Sequence, residues 1–277
     1  MRKRNSQPIK PTGRASTPAP IVLTVTAAVA RGADRVLTAF LTLILCFVLL
    51  FTGYAMLDTW RIYEGAGVDS ALLQYKPQLT VQETGPGFSD LMDLNPDMRG
   101  WLTVEGTNID YPVVQGEDNI RYVNTDVYGN YSLAGSIFLD YRNASDFSDS
   151  YCLLYGHHIT GDVMFGGLMN FRDASFFSRH ETAILYTPNQ VYTVKLFACL
   201  ETSAYDGQVF GPGDLSREAM EALLARLRTE SIQFRDIGVT GQDRILAMST
   251  CTEAASNSRT IVFGILTALT LTTEGGA

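Results

Sequence analysis

A thiol, an imidazole and a guanidinium each stand where an apolar, strand-like run of this chain gives way to polar residues. In Arg244-Ile245-Leu246-Ala247-Met248-Ser249-Thr250-Cys251 the alternation puts Cys251 on the same face as Ser249. The polar run Thr252 to Ser258 then breaks the pattern, so the thiol belongs at a strand end. Arg259 opens the next apolar run, Thr260-Ile261-Val262-Phe263, eight residues after the cysteine. Upstream, Leu153-Leu154-Tyr155-Gly156-His157-His158 ends another strand on a base. Nucleophilic cysteine chemistry needs those parts: a thiolate or neighbouring base, and a donor-rich pocket for the oxyanion that forms on the attacked carbonyl. Each part alone has a plainer reading, a small buried apolar cysteine or a solvated arginine paired with Glu253. The joint pattern is what points to catalysis.

That pattern resembles the sortases, and the class B group most closely. Ser249-Thr250-Cys251 with Arg259 after it and Tyr155-Gly156-His157 before it carry the likeness, with Met248 where the family usually has Leu. Asn95-Pro-Asp-Met-Arg-Gly-Trp-Leu, Ile109-Asp-Tyr-Pro-Val-Val-Gln and Asp118-Asn119 extend it, so that it covers about residues 88 to 266. The resemblance implies a cysteine transpeptidase. Such an enzyme cleaves a sorting motif of the Leu-Pro-x-Thr-Gly kind after its Thr and holds the acyl fragment as a thioester. It then passes the fragment to an amine of the cell-wall precursor or of a pilin. Carried onto this chain, Cys251 is the nucleophile, His157 the acid and base, and Arg259 the oxyanion donor, with the Thr252 backbone N–H as a second candidate donor. Ser249, Thr250 and Thr252 are candidate substrate-binding residues. His158 is set aside because neighbouring residues face opposite ways and the family ring directly follows Gly. His180 reads as a solvated loop residue. Tyr111, Tyr122 and Tyr155 could line a groove, but core packing is their default.

Other readings use the same residues. A papain-like peptidase would have its Cys before its His, and an L,D-transpeptidase would place Ser-x-Gly ahead of the Cys; neither fits. A non-catalytic sortase-like module that binds a pilin or wall protein stays open beside the enzyme.

The elements that must position these residues follow from the remaining sequence. The 277 residues carry a net charge of −8, unevenly spread. Up to Leu57 there are seven Lys/Arg and one acid, whereas after it fourteen basic residues face twenty-eight acidic ones. So acidic a domain is a poor nucleic-acid binder, since phosphate contact needs clustered Lys and Arg. Residues 1–35 read as a basic cytoplasmic arm, with a short apolar stretch from Ile21 to Ala30. Val36 to Leu57 has no charge for 22 residues, about 33 Å of helix, enough to cross a bilayer core of about 30 Å. By the positive-inside rule the N-terminus is cytoplasmic and the remainder extracytoplasmic on a single-pass anchor. Residues 58–87 read as a stalk and 88–277 as the catalytic domain. Phe88 to Asn95 predicts a short amphipathic helix, and Gly100 to Gln115 predicts two strands around a Gly106 turn, with Pro112 forcing an edge or a bulge. Asp214 to Glu230 predicts the clearest helix, capped by Asp214, in a connection where class B sortases are known for an added helix. Seven or eight short strands with isolated helices fit a closed or nearly closed mixed β-barrel. Cys152 and Cys199 read as buried free thiols. No Cys-x-x-Cys or His-Glu-x-x-His spacing points to a metal, and no cofactor is expected.

Overall fold

The computed structural model describes residues 21–68, 70–77, 87–251 and 257–269. Its helices are α1 (Ile21–Ala66), α2 (Ser70–Leu73), α3 (Phe88–Leu94), α4 (Ala174–Arg179) and α5 (Arg217–Glu230). Its strands run β1 (Met98–Val104), β2 (Asp110–Val114), β3 (Ile137–Leu139), β4 (Tyr151–Tyr155), β5 (His158–Ile159), β6 (Val163–Met164) and β7 (Thr182–Tyr186). They continue with β8 (Val191–Ser203), β9 (Gln233–Phe234), β10 (Ile245–Cys251) and β11 (Ser258–Ala268).

The neighbours run β11-β10-β4-β3-β2-β1-β7-β8-β9, and β8 also pairs with β11. That last pairing closes eight strands into a mixed barrel, with β9 added outside β8 and β5–β6 forming a separate hairpin. Two pairings are parallel, β2 with β3 and β10 with β4; the rest are antiparallel. Closure removes the exposed edges that an open sheet of this size would leave.

Alternation along β10 sorts its side chains between two cores. Leu246 and Met248 join the barrel interior with Leu154, Val262 and Cys199. Ile245 and Ala247 join a second core with Leu153, Ile261 and Phe263. Over that second core lies α5, whose Met220, Leu223, Leu224 and Leu227 fall on one stripe and are buried. The cap of α5 is Ser216 rather than Asp214: the Ser216 hydroxyl accepts from the Ala219 N–H at 3.2 Å, and the helix begins at Arg217. Both residue types cap well, so helix geometry three residues downstream decided between them.

Pro112 sits in β2 between two neighbouring strands, so β2 is not an edge strand as a whole. Its pairing with β3 covers only Val113 and Val114, which leaves the proline outside that ladder, where its missing N–H costs nothing. Gly106 makes the turn at φ 75°.

In the N-terminal unit, which runs to Leu57, α1 is an uninterrupted helix that takes in both apolar stretches, Ile21 to Ala30 and Val36 to Leu57. Among the described residues it is the one helix long and apolar enough to cross a membrane. Part of the segment read as a stalk packs: Ala66 and Leu72 are buried against barrel and α3 residues, and the compact unit begins at Asp58.

Candidate active site

His157 is positioned by the parallel pairing of β4 with β10. Tyr155 lies opposite Ser249 in that ladder, so His157 and Cys251 each stand two residues past the same pair. The intervening Gly156 donates its N–H to the Ser249 carbonyl at 3.2 Å. A Cβ at this position would come within 2.7 Å of the Phe165 ring, so only glycine lets the chain pass so close. Beyond it, the His157 carbonyl accepts from the Phe165 N–H at 3.0 Å, which fixes the backbone that carries the ring. The Nε2 of His157 lies 2.8 Å from the Val123 carbonyl. A carbonyl only accepts, so Nε2 carries the proton and the neutral ring is left with a basic Nδ1. Taking up a proton at Nδ1 leaves the bond to Val123 intact, so the ring can be acid and base without turning.

Arg259 is the register partner of Cys251 across β10 and β11. Its backbone also pairs with Thr202 of β8, so it is held from both sides. The side chain is half-buried, and Nη1 donates to the Ser258 carbonyl at 3.1 Å. Ser249 and Thr250 precede the cysteine and are buried, and among the described residues neither hydroxyl has a hydrogen-bond partner. Such groups normally find one, and each orphan costs about 1–3 kcal/mol.

These residues share a groove of about 370 Å³ lined by His157, Arg259, Ser249 and Thr250 together with Asn119, Phe138, Arg142, Tyr155 and Phe210. Its floor is a buried carboxylate network. Asp140 is fully buried and accepts from Arg142 Nε and Nη2 at 2.8 and 2.7 Å, from Asn119 at 2.9 Å and from the Tyr155 hydroxyl at 2.9 Å. Burial alone would raise its pKa, but the hydrogen bonds from Arg142, Asn119 and Tyr155 outweigh it and hold the carboxyl below its ordinary value. Burial and the adjacent carboxylate push the Tyr155 phenol up, so it stays a donor. The Tyr155 ring lies between Phe138 and Phe210, with centroids 5.3 and 6.3 Å away.

His157, Arg259, Ser249 and Thr250 therefore converge on one groove, and the backbone of Cys251 ends the strand beside it. Thr252 and Glu253 lie outside the described residues. His158 is in the β5–β6 hairpin, paired with Met164, and does not line the groove. His180 is not simply solvated: it is half-buried, stacks on Phe176 at 4.1 Å, and its Nδ1 lies 3.0 Å from that residue's carbonyl. Tyr111 and Tyr122 are buried in the cores, while Tyr155 lines the groove. Cys152 and Cys199 are buried free thiols; burial pushes both up, Cys199 to about 12, so neither is reactive. Asn119, Arg142 and Phe210 were not singled out from sequence as groove residues. The one local signal was Asp140 and Arg142 directly after the apolar β3, a charged pair at a strand end.

A model of the Sortase domain matches residues 102–267. The chain belongs to the sortase family. It is similar to sortases of class B. Sortase B of Listeria monocytogenes is 33% identical over 219 residues, covering 76% of this chain and 88% of the relative. A Streptococcus pyogenes class B sortase involved in pilus biogenesis is 45% identical, with a TM-score of 0.60 over 65% of this chain and 97% of that one. The Staphylococcus aureus sortase B–substrate complex is 30% identical, with a TM-score of 0.62 over 66% and 85%. This sortase is accordingly a cysteine transpeptidase of the class B type, on the eight-strand barrel those structures share.

Proposed function

We propose that this sortase is anchored by Val36–Leu57 with the basic arm, residues 1–35, in the cytoplasm. Residues 58–87 carry the catalytic domain, 88–277, outside the cell. There it cleaves a C-terminal sorting motif of surface proteins and transfers the acyl fragment to an amine of the cell-wall precursor. The anchor reading is supported by the charge-free run and the basic residues before it.

The observation that carries the catalytic reading is one groove lined by His157, Arg259, Ser249 and Thr250 at the end of the Cys251 strand. In the acylation step the Cys251 thiol gives its proton to Nδ1 of His157, and the thiolate attacks the carbonyl carbon of the scissile bond to form an S–C bond. The electron pair moves to the carbonyl oxygen, where the Arg259 guanidinium donates to it. Collapse breaks the C–N bond, and protonated His157 gives its proton to the leaving amine. In the second step an incoming amine loses a proton to His157 and attacks the thioester, and the thiolate leaves with the bonding pair. Ser249 and Thr250, which line the groove, support the reading of this strand end as the seat of the extended acyl segment.

The test is a peptide-library cleavage screen with the full-length chain in detergent, with and without added amines, read by mass spectrometry. A thioester adduct on Cys251 with one motif class is the expected result. A charged methanethiosulfonate reagent should block it by labelling a thiol that Cys251→Ala removes. No adduct, and no labelling there, would leave a binding module instead.

The 45% identity to a sortase involved in pilus biogenesis favours a second acceptor, a pilin side-chain amine. Amine competition in the same screen separates the two.

A further inference from the structure

His157 lines a second depression besides the substrate groove. This one, about 310 Å³, is walled by Ile62 and Tyr63 of α1, by Leu133, and by His157, His158 and Ile159. Its α1 wall lies before residue 102, outside the stretch matched as the Sortase domain, and is held in place: the Tyr63 hydroxyl donates to the Thr160 carbonyl at 3.1 Å. Thr160 follows directly on β5, so this bond ties α1 to the hairpin that continues from the catalytic ring. Thr59 and Thr160 complete a mixed lining of hydroxyls, two imidazoles and the apolar Ile62, Leu133 and Ile159, and among the described residues no carboxylate lines the space.

We propose that this depression receives the amine acceptor, a peptide bearing a free primary amine, and that α1 is a wall of the acceptor site. The argument rests on the function proposed above. By microscopic reversibility, the base that takes the proton from the incoming amine is the acid that gave one to the leaving amine. Both amines must therefore pass the same ring, on the side of the scissile carbonyl away from the acyl segment. The groove with Arg259, Ser249 and Arg142 takes the acyl segment, and the depression across His157 is left for the amine side. There the amine transfers one N–H proton to His157, its nitrogen bonds the thioester carbon, and the C–S pair returns to sulfur. Pre-positioning a nucleophile beside its base converts a bimolecular step into a near-unimolecular one, and this is what lets an amine compete with water. Tyr63 stands six residues past the end of the charge-free run.

The experiment uses the full-length chain in detergent with a sorting peptide that the library screen shows to be cleaved. Triglycine supplies an α-amine, Nα-acetyl-lysine amide a side-chain amine, and hydroxylamine a nucleophile too small to need a pocket. Ile62→Trp fills the depression, Tyr63→Phe releases the bond to Thr160, and Arg61→Ala alters the opposite face of the helix. For whichever peptide amine the wild type uses, Ile62→Trp should lower the ratio of transfer to hydrolysis at least tenfold through a higher acceptor KM. Tyr63→Phe should lower it several-fold. Hydroxylamine should be affected less than threefold, and Arg61→Ala should behave as wild type. Unchanged ratios in both pocket variants, or a wild type that saturates with neither peptide amine, would overturn the proposal. Absence of any thioester on Cys251 would instead overturn the catalytic reading on which it rests.

Discussion

Cys251 and Arg259 are direct cross-strand partners, although eight residues separate them in the chain. In an antiparallel ladder such partners lie about 4.5–5.5 Å apart at Cα and share a face. The guanidinium is thereby tied to the cysteine position by backbone pairing on two sides, with β10 and with β8. A donor fixed before the reaction needs no reorganisation when the oxyanion forms, and that is the basis of its effect on rate.

Arg259→Ala should therefore lower kcat by about 100-fold or more, the range typical of losing one oxyanion donor, with KM changed only several-fold. Arg259→Lys keeps the charge without the planar fork and should recover part of the loss. Thermal melting of both variants should stay close to wild type, since the apolar part of β11 begins beyond this residue. Steady-state kinetics with a near-normal rate would reduce Arg259 to a structural charge.

The two adjacent histidines should separate cleanly. His157 lines the groove with its Nε2–H bonded to Val123, whereas His158 belongs to the hairpin behind it. His157→Ala should abolish turnover and His158→Ala should keep most of the cleavage, both read with a fluorogenic sorting peptide. The opposite pattern would reverse the assignment of the base.

Ser249→Ala and Thr250→Val each remove a buried hydroxyl that has no partner among the described residues. Deleting an unsatisfied group is neutral or stabilising, whereas deleting a bonded one costs stability. Each variant should hold or gain up to about 1 kcal/mol in urea unfolding and should raise KM for the sorting peptide several-fold. A loss of stability without a KM change would mean that the hydroxyls serve the fold.

Asp140 gives the acid limb of stability a specific source. Its folded-state pKa lies below the ordinary value because the bonds from Arg142, Asn119 and Tyr155 outweigh its burial. A depressed carboxylate contributes stability that is full above its unfolded pKa of about 4 and is lost as pH falls through the folded value. Asp140→Asn should cost about 1–3 kcal/mol at pH 7, because the part-exposed Arg142, Asn119 and Tyr155 lose a charged acceptor. Urea midpoints measured from pH 7 to pH 3 should show the gap to wild type narrowing below about pH 4. Parallel curves would place the acid sensitivity elsewhere.

The sequence by itself determined the parts that depend on local pattern. The apolar run of α1, the stripe of α5 and the strand ends at Gly156-His157 and Ser249-Cys251 were legible because periodicity and its interruption are properties of neighbouring residues. The order of His, Cys and Arg was enough to name the chemistry. Tertiary structure alone decided which residues stand around those ends. The parallel β4–β10 pairing sets His157 level with Cys251, and the β8–β11 pairing closes the barrel; both join segments far apart in the chain. Arg142 stands two residues from its partner Asp140, but Asn119 and Phe210 reach the groove from distant loops, and their convergence on Asp140 and Tyr155 leaves no local trace. For the same reason the sequence could not show that α1 continues past Leu57 to place Tyr63 against Thr160. Helix propensity extends a helix residue by residue, but only packing determines what its last turns touch.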